Sequence, residues 1–116
     1  MRNDDTVRMR HMLDAGREAI AFTQNRARND LQGNRMLALS LVRLIEIIGE
    51  AASKVSRESQ ESYPSIPWAS IISMRNRLIH TYFDIDLDRL WDTIKADLPP
   101  LIAELERTLP PPSSSV

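Results

Sequence analysis

The strongest constraint on the fold is a run of apolar residues between positions 34 and 59. Its members recur at helical spacing and are Met36, Leu37, Leu39, Leu41, Val42, Leu44, Ile45, Ile47, Ile48, Ala51, Ala52 and Val55. They cover most of the circumference of one long helix, predicted over 34–59, and a helix that is apolar nearly all round is buried on several sides. A small bundle can cover such a helix fully only with help, so the pattern also favours a second copy of the chain as cover.

Polar residues mark the predicted ends of a first helix. Asp4 or Asp5 is predicted to cap this helix, which is expected to run to about Arg26. The segment 25–34 contains Asn, Asp and Gly, and predicts a turn or a short helical turn with Leu31 pointing inward.

Prolines and acidic residues divide the second half of the chain. Ser65 is predicted to cap a third helix with Pro67 in its first turn, and Asp86 is predicted to cap the last helical region. The inward face of the third helix is predicted to consist of Trp68, Ile71, Ile72 and Leu78. That of the last region is predicted to consist of Leu87, Leu90, Trp91, Ile94, Leu98, Leu101, Ile102 and Leu105. Pro99 and Pro100 cannot lie in an undisturbed helix interior, so we expect a kink or a restart there.

The totals indicate a single domain of 116 residues. We predict an all-α antiparallel helical bundle of four to five helices over 1–109, followed by a disordered tail over 110–116. The chain has no cysteine, which excludes a disulfide framework and a cysteine-based metal site. No long apolar run or signal peptide occurs, so we expect a cytoplasmic protein without membrane association. The net charge of −1 argues against a protein that coats nucleic acid non-specifically.

A window without acidic residues indicates where an anion would bind. No carboxylate occurs from Ser62 to Phe83, although the overall acidic content predicts about three in a stretch of this length. The window contains Arg75, Arg77 and His80, one of only two histidines. A locally positive field in a chain of negative net charge favours an anion held here.

The spacing within 74–83 limits how its side chains can meet. If the stretch is helical, Asn76 and His80 are four residues apart and lie on one face. Arg75 and His80 are five apart, so they diverge by about 140° around a helix and by about 7.5 Å along it. Either the helix ends near His80, or two copies of the segment form a shared site. The sequence at 84–86 indicates a break with a new cap, which favours an ending near His80 to Tyr82.

The residue types of this stretch suit the cleavage of RNA without a metal. His80 can carry a proton, since an unperturbed imidazole titrates at about 6.5, and Arg75 can clamp a phosphate. Asn76 can orient the imidazole, and Tyr82 can stack on a base or donate a hydrogen bond. Such cleavage needs a ribose 2′-OH as nucleophile, an acid–base group and a cation for the charge on phosphorus. The alternative is that these are solvated or structural residues of an amphipathic helix.

A charged stripe on the second helix has two interpretations. The first is a row of ion pairs, Arg43 with Glu46 and Glu50 with Lys54. The second is that Arg43, Glu46 and Glu50 line a groove beside the motif. Arg77 is likewise either a groove cation or a surface ion-pair residue.

Four sequence elements resemble those of the HEPN superfamily, in particular its HepT toxin branch. Arg75, His80 and Tyr82 form the pattern R-x-x-x-x-H-x-Y, which resembles the signature of the superfamily. The sequences I-E-I-I-G-E-A-A at 45–52, Y-P-S-I-P-W at 63–68 and D-L-P at 97–99 resemble other elements of the branch, in its order. The resemblance spans roughly 6–109 and departs at 25–34, where the family usually has a longer, more acidic connection.

The resemblance implies a homodimer of HEPN bundles whose two motifs face one cleft. It implies an endoribonuclease toxin of a type VII-like toxin–antitoxin system that uses no metal or other cofactor and leaves a 2′,3′-cyclic phosphate and a 5′-OH. Arg75 would stabilise charge on the phosphate, His80 would be the general acid or base, and Asn76 would position His80. Tyr82 would contact RNA and would receive AMP from a nucleotidyltransferase antitoxin. The alternative is a non-catalytic HEPN module that acts through dimerisation and binding to a nucleotidyltransferase.

Overall fold

The chain is a helical bundle, as predicted, and contains one short two-stranded ladder that was not predicted. The structure is a computed structural model and describes residues 2–81 and 84–111. Its elements are α1 (Asn3–Phe22), α2 (Asp30–Gly33), α3 (Arg35–Lys54), α4 (Arg57–Ser62), α5 (Trp68–Ile72), a 3-10 turn (Met74–Arg77), β1 (Ile79–Thr81), β2 (Asp84–Ile85), α6 (Leu87–Asp92), a π-helical segment (Thr93–Asp97) and α7 (Leu98–Thr108).

Helix α1 packs against α3 and α7 and lies antiparallel to both. The start of α1 contacts the chain just after α3, where the Asp5 carboxylate accepts hydrogen bonds from the Ser56 backbone N–H at 2.9 Å and from the Ser59 hydroxyl at 2.6 Å. Further along α1, Arg17 contacts Glu106 near the end of α7 at 2.5 Å, whereas the earlier Arg10 donates to the later Pro110 carbonyl at 2.8 Å. The predicted antiparallel arrangement is therefore confirmed for these three helices.

The predicted ends of the first helix were wrong at both sides. The helix is preceded by Arg2 without a side-chain cap, and the Asp5 carboxylate instead binds Ser56 and Ser59. Burial would raise the pKa of Asp5, but the hydrogen bonds from Ser56 and Ser59 outweigh it and lower the pKa to about 2. The helix ends at Phe22, and Asn25 has a φ of 60°, a left-handed conformation that helices do not continue through. The segment that follows contains the short α2, with Leu31 buried as predicted.

Helix α3 forms the centre of the core but is shorter than predicted. It ends at Lys54 because Val55 is extended, with a ψ of 135°, and Ser56 caps a separate helix, α4, by accepting from the Ser59 N–H. Its buried residues are Leu37, Ala38, Leu41, Val42, Leu44, Ile45, Ile48, Gly49, Ala51 and Ala52. Met36 is 82% exposed and Leu39 45%, so one chain leaves part of this helix uncovered.

Helix α5 begins later than predicted, at Trp68. Pro67 precedes it without a side-chain cap, and the Ser65 hydroxyl donates to Glu104 of α7 at 2.9 Å instead of capping the helix. Trp68 and Ile71 are buried as predicted. Ile72 is 40% exposed, contrary to prediction, because it is the last residue of the helix and the chain tightens after it into the 3-10 turn.

The last helical region is capped and interrupted where the sequence predicted. The Asp86 carboxylate accepts from the Arg89 N–H at 3.0 Å, and the π-helical segment lets the helix restart before Pro99 and Pro100. The fully buried residues of its inward face include Leu90, Ile94, Leu98 and Leu105. Trp91, predicted as core, is only half-buried. It packs against the core, and the Lys95 ammonium lies 4.9 Å from the centroid of its ring.

The remaining predictions concern the tail and membranes. The predicted tail lies outside the described residues from position 112 onward, and its disorder stays a prediction. No helix within 2–81 and 84–111 has the length and apolar character needed to cross a membrane.

Candidate active site

The Arg75-containing turn is held on the bundle by two buried side chains. Met74 is 4% exposed and Leu78 is fully buried, whereas the three residues between them lie at the surface. The Asn76 N–H donates to the Ser73 carbonyl and the Leu78 N–H to the Arg75 carbonyl, each at 3.0 Å, which closes a 3-10 turn. The apolar residues at both ends therefore fix a turn that displays Arg75, Asn76 and Arg77 to solvent.

The chain changes from helix to strand between this turn and His80. The helical turn ends at Arg77, and the backbone of His80 lies in β1, which pairs antiparallel with β2. The Asp86 N–H donates to the Leu78 carbonyl at 2.7 Å and joins the start of the last helical region to the motif. The helix was predicted to end near His80 to Tyr82, but the α-helix ends at Ile72 and the 3-10 turn at Arg77, so the helical backbone ends before His80 and earlier than predicted.

Two predictions about neighbours of His80 have different outcomes. The prediction that Asn76 and His80 share a helical face was wrong, because position 76 lies in the 3-10 turn and position 80 in the strand. Asn76 is exposed. Tyr82 lies outside the described residues, and the shared site between two copies stays a prediction.

Arg75 is connected to α3 through a network of charged side chains. Its Nε–H donates to Oε2 of Glu46 in a short ion pair across 29 residues of sequence. The other oxygen of Glu46 lies 3.6 Å from Nη1 of Arg43, which is also 3.6 Å from Oε1 of Glu50. The structure therefore brings together four predicted residues, and Arg43 pairs with Glu46 as predicted. The predicted pair of Glu50 with Lys54 was wrong, since Glu50 pairs with Arg43 instead.

Arg77 points away from this network. Its Nη2 donates to the carbonyl and to the hydroxyl of Ser70, at 2.9 and 3.1 Å, and it binds no carboxylate among the described residues. It lines a groove of about 340 Å³ between α5 and α7 that also contains Met74 and Glu104. Arg77 is thus a groove residue, and this groove contains none of Arg43, Glu46 and Glu50.

Sequence reasoning named both Glu46 and Arg75 but missed that they form a pair. The available signal was the position of Glu46 in the charged stripe of α3, and its partner on the turn could not be read from helical spacing. Within the described part of the chain, no group of three or more histidine, aspartate and glutamate side chains is placed to hold a metal ion.

A comparison with protein families gives one match over most of the chain. A family model described as "Ribonuclease HepT-like" matches residues 12–108. This range includes α3, the Arg75 turn and α7.

Curated relatives match over similar lengths. A protein of Methanocaldococcus jannaschii that carries a provisional RNase name is 36% identical over 95 residues, which cover 82% of this chain and 87% of the relative. A second protein of that organism, also provisionally named as an RNase, is 35% identical over 92 residues, or 79% of this chain and 76% of the relative. The "Probable ribonuclease HepT" of Thermococcus cleftensis is 35% identical over 86 residues, or 74% of this chain and 78% of the relative. No solved structure gives a significant match.

Proposed function

The chain belongs to the HepT-like ribonuclease family, and from this premise we propose that it is a metal-independent endoribonuclease, the toxin of a type VII-like toxin–antitoxin system. The observation that carries the proposal is the placement of Arg75. Its side chain is 45% exposed on a rigid turn, five residues before His80, within a stretch that has no acidic residue. A fixed and accessible guanidinium in a positive stretch is suited to a phosphate group of RNA.

The proposed reaction transfers the phosphate within the RNA strand. A base removes the proton of the ribose 2′-OH, the 2′ oxygen bonds to phosphorus, and the bond from phosphorus to the 5′ oxygen breaks. An acid gives that oxygen a proton, so the products are a 2′,3′-cyclic phosphate and a 5′-OH. His80 acts as the acid or the base, and Arg75 stabilises the negative charge that builds up on the phosphate oxygens.

We also propose that the active form is a homodimer with both motifs in one cleft. The second His80 then supplies the second proton-transfer group, which one copy of the motif lacks. The exposed Met36 and Leu39 of α3 support a dimer, because large apolar side chains at such exposure favour a covering surface.

Silencing of the toxin is proposed to occur at Tyr82. A nucleotidyltransferase antitoxin transfers AMP to the phenol oxygen and releases pyrophosphate from ATP. The adduct adds a bulky negative group two residues after His80 in the sequence, and repels RNA from the positive stretch.

The test is RNA cleavage in EDTA by the purified chain, with the product ends identified. The compared variants are His80→Ala and His11→Ala, the latter removing the other histidine, which is exposed on α1. We expect the wild type and His11→Ala to leave cyclic phosphate ends and His80→Ala to be inactive.

Two results would contradict the proposal. Cleavage that stops in EDTA would exclude the metal-independent mechanism, and cleavage retained by His80→Ala would remove its acid–base group. Absence of cleavage by protein whose mass shows an unmodified Tyr82 would instead favour a non-catalytic module that binds a nucleotidyltransferase.

A further inference from the structure

The contact between Glu46 and Arg75 joins the central helix to the motif turn. We propose that Glu46 is a positioning residue for RNA cleavage, which holds the Arg75 guanidinium by its Nε edge and leaves the two terminal nitrogens for the phosphate. This inference rests on the ribonuclease activity proposed above. Glu46 does not touch the reacting atoms in this scheme and acts only through Arg75.

The geometry of the guanidinium supports this role. An arginine side chain has five N–H groups in a planar fork, and the edge formed by its two Nη atoms is distinct from the edge that Nε shares with one of them. Glu46 takes the Nε–H, and within the described residues no other group accepts a hydrogen bond from Arg75. The edge formed by the two Nη atoms therefore stays available to two phosphate oxygens, which is the bidentate arrangement that arginine prefers.

The carboxylate itself is held more firmly than the arginine. The Glu46 side chain is 23% exposed against 45% for Arg75, and it belongs to a 20-residue helix in the core. One turn further along this helix, a Cβ added at Gly49 would lie 3.3 Å from the Ile71 carbonyl oxygen of α5. The backbone of α3 therefore lies directly against the segment that leads into the Arg75 turn, which fixes the distance that the Glu46 side chain spans.

The Glu46 carboxylate is shared between two guanidinium groups. Nη1 of Arg43 lies 3.6 Å from its second oxygen and also 3.6 Å from Oε1 of Glu50, so the four side chains of this network have a net charge of 0. Glu46 therefore orients Arg75 within a neutral network, and phosphate would be bound through the directed N–H groups of the Nη edge.

Stability and catalysis are expected to respond differently to loss of this pair. Exposed ion pairs contribute little to folding stability, so removal of Glu46 should hardly move the unfolding midpoint. Misplacement of a catalytic group by about 1 Å can slow a reaction by about 100-fold. A large fall in cleavage rate with an unchanged midpoint would therefore not follow from a merely structural role.

The experiment measures single-turnover cleavage of RNA by Glu46→Ala, Glu46→Gln, Arg75→Ala and the double variant Glu46→Ala/Arg75→Ala. The matched control is Glu106→Ala, which removes the carboxylate of another exposed pair, Arg17 with Glu106, on the α1–α7 side of the bundle. We expect Glu46→Ala to be slower by about 10- to 100-fold, and Glu46→Gln to lose less because its amide oxygen still accepts from Nε. We expect the double variant to be no slower than Arg75→Ala, and Glu106→Ala to match the wild type.

Binding is measured in parallel with an RNA that carries a 2′-deoxy sugar at the cleavage site. Glu46→Ala should bind this RNA at least as tightly as the wild type, because a negative charge is removed while cleavage is lost.

Three outcomes would overturn the inference while leaving the ribonuclease intact. Cleavage by Glu46→Ala at or above the wild-type rate would show that the carboxylate is unimportant or restrains Arg75. Losses that multiply in the double variant would show that Glu46 acts independently of Arg75. If the cleavage rate of Arg75→Ala is too low to measure, the double variant gives no information. In that case, equal losses of cleavage rate in Glu46→Ala and Glu46→Gln would contradict the inference that Glu46 positions Arg75. By contrast, a wild type that cleaves no RNA, or an Arg75→Ala variant as fast as the wild type, would overturn the proposed function and this inference with it.

Discussion

Replacement of Asp5 by asparagine tests the role of a buried carboxylate that connects α1 to α4. The carboxyl group is 2% exposed and accepts hydrogen bonds from the Ser56 N–H and from the hydroxyls of Ser56 and Ser59. Burial would raise its pKa, but the hydrogen bonds from the two serines lower it from 3.8 to about 2. Since a tenfold change in an acid constant corresponds to about 1.4 kcal/mol, the ionised form stabilises the fold by about 2 kcal/mol at neutral pH.

The sign of the pH dependence follows from the lowered pKa. Between about pH 4 and pH 2 the unfolded chain binds a proton at Asp5 more readily than the folded chain does, so stability falls as the pH falls. The contribution should be complete above about pH 5, about half as large near pH 3 and a few tenths of a kcal/mol near pH 2.

The assay is urea unfolding of the wild type and of Asp5→Asn, followed by circular dichroism at pH 7, 4 and 3. We expect a difference of about 2 kcal/mol at pH 7, or about 8 °C in Tm for a domain of this size, that shrinks to about half at pH 3. The matched control is Asp4→Asn, which removes the same charge from the exposed neighbouring position. A difference that is as large at pH 3 as at pH 7, or absent at pH 7, would refute the argument that the ionised carboxylate provides the stabilisation.

Other perturbations follow from packing and surface contacts. Gly49→Ala should destabilise the fold by about 1–3 kcal/mol, because the new Cβ meets a backbone oxygen at 3.3 Å. In the control, Gly33→Ala, the new Cβ meets no atom within 4 Å, so this change should be neutral or slightly stabilising. Equal urea midpoints for the two variants would contradict this prediction. Leu78→Ala should cost about 2–5 kcal/mol by leaving a cavity under the Arg75 turn, and a loss below about 1 kcal/mol in urea unfolding would show that the turn is not anchored there. Arg28→Ala should leave the urea midpoint nearly unchanged, because the ion pair of Arg28 with Asp92, at 2.6 Å, is exposed. The same pair joins the loop 24–29 to α6, so its loss should speed amide hydrogen exchange in this loop. Unchanged exchange would argue against that connection.

Apolar periodicity predicted the bundle and most of its core, but not the ends of the helices. The core positions of α3 and α7 follow from spacing alone, since an apolar stripe has only one way to be buried. The ends of the helices depend on whether a polar side chain caps the helix or binds a group elsewhere in the fold. Asp5 and Ser65 are good capping residues by type, yet each binds a group brought close by tertiary structure, Ser56 and Glu104 respectively.

The residues of the candidate site were chosen from the sequence, whereas their contacts could not be predicted from it. Residue type and the absence of acidic neighbours were enough to select Arg75 and His80. The pairing of Arg75 with Glu46 required knowing that α5 ends at Ile72, because in the 3-10 turn that follows α-helical spacing no longer gives the direction of a side chain. The same change of backbone, from turn to strand, separates Asn76 from His80.

The π-helical segment Thr93–Asp97 sets the rotational phase between the two halves of the last helical region. Each of its turns contains about one residue more than an α-helical turn, so deletion of a single residue there would rotate α7 by about 100° relative to α6. Leu101 and Leu105 would turn out of the core and Glu104 away from Ser65, although every side chain in α7 would be retained. In this part of the chain, a change of length is therefore a more damaging mutation than most changes of residue type.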